Sequence, residues 1–259
     1  MRIISWNIRC QNGGDDARGC GWKVRLPLVI ATLRELSPDI FAVQEAHGSQ
    51  MDDLRAAFSD YQSVGMGRED GENDGEHCGI FFDKTRFWLR SQETRWLSPT
   101  PDVPSRGWGA NYTRIVTRAS LLDRETDRKL MVWNAHLDHQ SELARLESAR
   151  ILRGELAKAE VPALLCGDFN CAPDAAPIAE LIASGTLRDA RAHAANVEGE
   201  VATFCGFDEP VRDESRRIDY VFATRDWNIE SYRVPDDKAS WPPASDHRPV
   251  IVELNSVLS

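Results

Sequence analysis

Several short segments of this chain carry side chains suited to cation binding and acid–base work: Trp6-Asn7-Ile8, Gln44-Glu45, Asn134-Ala135-His136, Gly167-Asp168-Phe169-Asn170, Arg217-Ile218-Asp219-Tyr220 and Ser245-Asp246-His247-Arg248. Each ends an apolar, strand-like run. A carboxylate in such a place is shielded from bulk water and needs a cation or a donor to offset its desolvation. Glu45, Asp168 and Asp246 fit that description, and Asn7 adds an amide oxygen. A hard divalent ion such as Mg²⁺ takes one or two carboxylates, water and substrate phosphate. His247 follows Asp246, and Asp219 lies on another tip. A carboxylate that receives one imidazole N–H leaves the second ring nitrogen free to act on water or on developing charge.

His136 has a comparable candidate partner in Glu76. Arg114 offers the fork and permanent charge of a phosphate clamp, or equally a solvated strand-face arginine. Taken singly, a strand-end acid is usually a cap and a strand histidine usually a core or rim residue. Several similar tips in one chain turn the reading toward metal-assisted attack on a phosphate ester. His139 is assigned only a core or rim role, and Trp108 the anchoring of its own loop.

These tips require a scaffold. Residues 2–9 alternate as a strand, and a Gly/Asp-rich loop covers 12–21. Apolar residues at helical spacing predict a helix over 22–36, stopped by Ser37-Pro38. A buried strand over 39–43 delivers Gln44-Glu45. A helix follows over 49–58, then a loop over 65–77 and strands over 78–82 and 87–90. Residues 99–111 hold too many Pro and Gly for regular structure. Runs 112–122 and 129–137 bracket a polar hairpin loop. From Ser141 a helix places Leu143, Leu146, Ala149, Leu152 and Leu156 on one face. A strand over 161–165, a helix over 175–184, an irregular segment over 190–216 and strands over 217–223, 227–233 and 248–254 complete the pattern. Strands outnumber helices, hairpins are mixed with strand–helix units, and nearly every long element reads as apolar on one face. Two packed sheets with helices outside would bury those faces, which predicts an α/β fold: a four-layer α/β/β/α sandwich of two mixed, mainly antiparallel sheets.

At 259 residues, with 42% apolar and 28% charged residues, the chain has the composition of a soluble globular protein. One domain over 1–259 is expected, without internal repeats. The net charge of -10 disfavours a protein that holds long nucleic acid by phosphate neutralisation, although a local basic groove is compatible with it. The N-terminal residues show no leader and nothing resembles a membrane span, so a cytoplasmic protein is expected. Cys10, Cys20, Cys78, Cys166, Cys171 and Cys205 form no CxxC pair, which favours reduced thiols over zinc or disulfides. No feature specifies an oligomeric state.

In order along residues 5–250, the motifs SWNI, QE, GEHCGIFF, NAHLDH, GDFN, RIDYVF and SDHRPV resemble the endonuclease/exonuclease/phosphatase superfamily. That superfamily includes apurinic endonucleases, pancreatic-type deoxyribonucleases, inositol polyphosphate phosphatases, sphingomyelinases and poly(A) deadenylases. NAHLDH followed by ARLESARIL is most similar to a bacterial subgroup. The resemblance implies a site at the rim where strand tips of both sheets meet. It implies Mg²⁺ or Mn²⁺ at Asn7 and Glu45 with support from Asp246. Asp168 and Asn170 would orient the attacking water and bind phosphate. Asp219 would pair with His247, His136 would contact a phosphate oxygen with Glu76 behind it, and Arg114 would bind phosphate. Relatives commonly carry histidine after Thr-Phe before RIDY; here Cys205 follows Thr203-Phe204, and it is assigned no catalytic duty.

The expected activity is divalent-metal-dependent hydrolysis of a small or lipid-derived phosphodiester or phosphomonoester by in-line attack of water. A DNA or RNA nuclease is the alternative, with Arg9, Arg18, Lys23, Arg106 and Arg114 near the expected rim. A catalytically silent binding module is the third reading, and the complete polar set argues against it. Loops 65–77, 99–111 and 190–216 are expected to decide substrate.

Overall fold

Neighbouring residues on the central strands serve different layers of the molecule, which is why those strands read as continuously apolar. The computed structural model describes residues 1–207, 213–235 and 241–256. Its elements run β1 (Arg2–Asn7), α1 (Gly13–Ala17), α2 (Trp22–Leu36), β2 (Ile40–His47), α3 (Gly48–Ala57), β3 (Tyr61–Val64), β4 (Glu76–Asp83), β5 (Phe87–Trp96), β6 (Ile115–Asp123), β7 (Arg128–His136), α4 (Glu142–Leu156), β8 (Ala163–Asp168), α5 (Ala176–Ile182), β9 (Leu187–Asp189), α6 (Ala190–His193), β10 (Asn196–Gly199), β11 (Asp219–Thr224), β12 (Trp227–Val234) and β13 (Val250–Ser256). One sheet has the order β10-β12-β13-β1-β2-β4-β3 and the other β5-β6-β7-β8-β11-β9. Among the described residues every strand pair is antiparallel except β1–β2, β7–β8 and β10–β12.

Ile3, Ile40, Val132, Leu164 and Val221 fill the core between the sheets. Their chain neighbours Ile4 and Phe41 join Val29, Leu33, Met51 and Leu54 in the layer beneath α2 and α3. Trp133, Leu165 and Phe222 join Leu152, Leu156, Ile178 and Leu181 beneath α4 and α5. The period of two in a strand thus builds the expected α/β/β/α sandwich, each strand buried on both faces. Among the described residues no helix is long and apolar enough to cross a membrane.

Several boundaries differ from the sequence reading. The expected loop over 12–21 contains α1, begun by Asn12, whose side chain accepts from Asp15 N. β5 continues to Trp96 because it is an edge strand, where polar Ser91–Arg95 side chains can face solvent. The strand expected from 112 begins at Ile115, which leaves Arg114 just before β6. The buried stripe of α4 is Ala144, Ser148, Ala149, Leu152 and Leu156; the expected face holds at Ala149, Leu152 and Leu156, while Leu143 is exposed and Leu146 only partly buried. The segment 190–216 is not irregular throughout, since α6, β10 and a 3₁₀ turn at Glu214–Arg216 lie within it. Residues 208–212 of that segment lie outside the described residues.

Candidate active site

Three adjacent strands bring their ends level. His136 closes β7 opposite Asp168 at the end of β8, and Asp168 stands opposite Asp219 at the start of β11. Gly167 permits this approach: its φ is 150°, and a Cβ there would fall 2.0 Å from Ala135 O. From the facing sheet β1 delivers Asn7. Glu45 sits in β2 at a register shift between Val43 and Ala46, with a φ of 64°. Such a bulge re-aims a side chain at the cost of local strain. Below the rim, fully buried Gln44 donates to Asn134 Oδ1 at 2.7 Å, and Asn134 donates to Val43 O and Gly79 O at 2.8 and 2.9 Å. This amide cluster locks the two sheets together directly beneath the site.

The structure brings all ten sequence-identified residues together. Glu45, Glu76, Arg114, His136, Asp168, Asn170, Asp246 and His247 line one cavity of about 390 Å³. Asn7 and Asp219 lie behind it, fully buried. Asn7 Nδ2 donates to Glu45 Oε1 at 2.9 Å and across the sheets to Asp168 Oδ2 at 3.0 Å. Asn7 Oδ1 accepts from Arg9 N at 3.0 Å. In this arrangement Asn7 therefore shows its amide nitrogen to the carboxylates, not the oxygen expected of a metal ligand, because a backbone N–H already claims that oxygen.

His247 Nδ1 lies 2.8 Å from Asp219 Oδ2, while its Nε2 faces Asp168 Oδ2 at 3.9 Å. Burial works against its charged form, yet Asp219, by charge and hydrogen bond, together with Asp168 and Asp246, holds His247 well above the ordinary histidine range. Burial and the charge of Asp219 push Asp168 up to about 7, against the opposing pull of His247 and Asn7. Burial also raises Asp246. Burial and Glu76 press Glu45 upward, but His136, His247 and Asn7 outweigh them and leave it lowered. Burial, with Glu45 and Glu76 adding negative charge, pushes the Cys10 thiol up to about 12.

The other flank is arginine-rich. His136 Nε2 accepts from Asn170 Nδ2 at 3.0 Å, and the same Nδ2 donates to Leu137 O at 3.0 Å. A carbonyl can only accept, so the amide orientation of Asn170 is fixed and both its N–H groups are spent. Asn170 thus shows Oδ1, an acceptor that suits a water. His136 Nε2 is engaged by Asn170, and its Nδ1 faces Glu76 Oε2 at 3.5 Å. Glu76 supports it only loosely, since that oxygen bonds Arg68 Nη1 at 2.5 Å and a permanent cation outcompetes a neutral imidazole. Burial and Arg114 hold His136 well below the ordinary range despite Glu45. Arg114 is buried, donates through Nη2 toward His139 Nδ1 at 3.0 Å, and among the described residues its Nε and Nη1 make no hydrogen bond. Nη1 and Nε lie 3.8 Å from Glu76 Oε2 and Asp138 Oδ2, so two carboxylates hold this permanent cation in the cavity wall.

Some residues of the site carried no sequence assignment. Arg68 and Tyr112 line the cavity, with the guanidinium 5.2 Å from the ring centroid, and His139 joins them at the rim. Arg68 lay in an aperiodic loop that gave no signal. Buried Arg25 donates to Ile8 O, Arg9 O, Cys20 O and Ala244 O, tying together the loops that carry Arg9 and Ser245. A signal was present there: Arg25 falls on the apolar stripe Trp22, Val29, Leu33, Leu36. Thr203 Oγ1 accepts from Ile218 N and Asp219 N, both at 3.0 Å, and so places Asp219.

Of the rim cations named from sequence, only Arg9 and Arg114 line the cavity. Arg18, Lys23 and Arg106 are exposed on other surfaces. The 99–111 loop also leaves the site: Pro99, Pro101 and Trp108 line a separate cavity of about 450 Å³ beside Trp96, Trp133 and α4. That cavity contains no histidine, and its Glu93 and Glu155 are paired with Arg118 at 2.6 Å and Lys158 at 2.7 Å, so it lacks groups for the chemistry.

A two-sheet sandwich whose strand ends converge on carboxylates, a carboxylate–imidazole pair and a buried guanidinium has the make-up of a phosphoesterase. The chain belongs to the Endonuclease/Exonuclease/phosphatase family, whose sequence model matches residues 4–247. It is 34% identical to an endonuclease/exonuclease/phosphatase family protein from Bacteroides thetaiotaomicron, over 100% of this chain and 98% of that one, with a TM-score of 0.95. A mannosyl-6-phosphatase from the same organism is 33% identical, over 98% of this chain and 99% of that one, with a TM-score of 0.93. Among curated relatives, Drosophila melanogaster Nocturnin is 25% identical over 87% of this chain and 40% of its own length. The chain spans only 59% of an uncharacterized Acanthamoeba polyphaga mimivirus protein to which it is 28% identical over 58% of its own residues.

Proposed function

We propose that the chain hydrolyses a small phosphate ester, a sugar phosphate monoester foremost, by in-line attack of water with a divalent ion bound. The observation that carries this reading is the meeting of the Arg114 guanidinium and the buried Asp168–His247–Asp219 set at one cavity of about 390 Å³. That volume suits a small molecule. The likeness to the mannosyl-6-phosphatase supports a sugar phosphate.

The donor set fits a cation. Asp168 and Asp246 are buried carboxylates, Glu45 is partly buried beside them, and Glu45, Asp168 and His136 present ligand atoms within 4.8 Å of one another. Glu45 and Asp246 would hold Mg²⁺ or Mn²⁺, with Asn7 joining them by turning its amide. The bound ion would supply positive charge to the phosphate and acidify a coordinated water.

The remaining roles fall to the chain itself. Asp168, near 7 before any cation adds its charge, takes the proton of the attacking water, which Asn170 Oδ1 orients. His247, protonated and fixed by Asp219, donates from Nε2 to an oxygen gaining negative charge. Arg114 clamps the phosphate, and His136 holds Asn170 in place. A nuclease acting on single-stranded ends is the second reading. Tyr112 and Phe204 are aromatic side chains in the cavity lining, of the kind against which a base packs.

A hydrolysis panel with added Mg²⁺ or Mn²⁺ tests this, covering sugar phosphates, other monoesters, diesters, inositol phosphates, phospholipid head groups and single- and double-stranded nucleic acid. Release of inorganic phosphate from sugar phosphates, abolished in Asp168→Ala, is the expected result. Turnover confined to nucleic acid would promote the second reading, and no turnover with no divalent-ion binding would overturn both.

A further inference from the structure

We propose that Cys10, His47 and Glu76 form a second metal site at the cavity rim, one that takes Zn²⁺ and inhibits the enzyme. Their ligand atoms lie within 4.8 Å of one another. A tetrahedral zinc with bonds of about 2.0–2.3 Å sets its ligands roughly 3–4 Å apart, so closure needs only small side-chain adjustments.

The three positions are fixed by the fold. His47 and Glu76 are direct cross-strand partners at the junction of β2 and β4. Cys10 is held opposite by buried Gln50, whose Oε1 accepts from Gln11 N at 2.8 Å and from His47 N at 3.1 Å, while its Nε2 donates to Arg9 O at 3.0 Å. One amide therefore ties both residues flanking Cys10 to the backbone of His47. The ligand chemistry separates this site from the catalytic one. Thiolate, imidazole and carboxylate suit borderline-soft Zn²⁺, whereas Mg²⁺ selects oxygen donors. Binding would release the Cys10 thiol proton to solvent and form a Zn–S bond, with no change of oxidation state.

Inhibition follows from what the ligands already do. Cys10 N donates to Glu45 Oε2 at 3.0 Å, and Glu76 is the partner of Arg68 and the neighbour of His136. Zinc on this trio would draw on both, shifting a cation-binding carboxylate and unseating Arg68. The inhibitory consequence rests on the hydrolase reading above, but metal binding does not.

The test uses the full chain with Co²⁺ as a spectroscopic stand-in for Zn²⁺, in excess Mg²⁺. A thiolate-to-cobalt charge-transfer band should saturate at one equivalent, disappear on adding Zn²⁺ and be absent from Cys10→Ser; the other five cysteines are buried. Zinc affinity should fall at least about 10-fold in Cys10→Ser and in His47→Asn. Without zinc, Cys10→Ser should turn over at the parent rate, and with zinc it should resist inhibition. An unchanged band in Cys10→Ser, or no band in the folded parent, overturns the site whether or not a substrate has been found. Equal zinc inhibition of parent and Cys10→Ser overturns the regulatory role.

Discussion

Two imidazoles meet at one cavity and are driven to opposite protonation states. His247 is backed by Asp219 at 2.8 Å and sits among carboxylates, which hold its proton on. His136 faces Arg114 and Arg68, takes an amide N–H from Asn170, and reaches Glu76 only at 3.5 Å, so it stays neutral. The burial is alike; the neighbours decide. Environments that separate two like groups in this way assign them different tasks. His247 is a charged donor, and His136 is an acceptor that fixes the group next to it.

Asp168 Oδ2 stands between the two, 3.6 Å from His136 Nε2 and 3.9 Å from His247 Nε2. Asp168→Ala should therefore have the largest effect, a loss of about 10³-fold to 10⁴-fold in kcat. Steady-state rates on whichever substrate the panel identifies check it, and a variant near the parent rate would place the chemistry elsewhere.

Asp219→Asn turns His247 into a histidine of the other kind. Without the carboxylate the imidazolium loses its main support, and turnover should drop about 10²-fold to 10³-fold. The sharper readout is the pH profile: the alkaline limb should move to lower pH, because His247 then gives up its proton earlier. A lowered rate with an unmoved limb would separate Asp219 from the charge on His247.

That asymmetry was only half legible in the sequence. The strand-tip motifs marked both histidines, Asp168, Asp219 and Glu45, since a polar residue at the end of a doubly buried strand stands out against its neighbours. What makes the histidines differ comes from residues far away in sequence. Arg68 comes from an aperiodic loop, and its contact with Glu76 is set by how that loop folds back on β4. The amide orientation of Asn170 depends on Leu137 O, and that of Asn7 on Arg9 N. Neither hydrogen bond leaves a periodic trace. The sandwich itself was readable because many strands and a few helices, each apolar on one face, are buried together by two packed sheets with helices outside, whereas short elements such as β3 and α6 are set by tertiary pairing rather than by local pattern.

Arg68→Gln attacks the comparison from the other side. Glu76 would lose the nearer of its two cations, keep Arg114 Nη1 at 3.8 Å, and become more available to His136 Nδ1–H, moving His136 toward the carboxylate-backed condition of His247. The loss in kcat/KM should be modest, about five-fold, the scale of ~1 kcal/mol for one ion pair that is not fully enclosed. An upward shift of the His136 titration, followed by nitrogen-15 NMR, identifies the cause. A similar loss without that shift would assign Arg68 to substrate contact instead.

The smallest effect concerns stability without divalent ions. Asp168 and His247 both have folded-state pKa values above their unfolded ones, so from pH 6.5 upward the native state holds protons that the unfolded chain has lost. Stability from these groups must therefore fall as pH rises through about 7 and beyond. His136 acts in the opposite sense but only below its unfolded value near 6.5, since its folded pKa is lowered. Above that pH nothing from His136 offsets the decline. The Tm of the chelator-treated chain should drop between pH 6.5 and 9, by about 2–4 °C for each kcal/mol of linkage. Added Mg²⁺ should flatten the slope, because a bound cation favours ionised Asp168 in the folded state. A Tm that rises over this range, with or without the ion, would mean that neighbours of the two imidazoles do not set their charges.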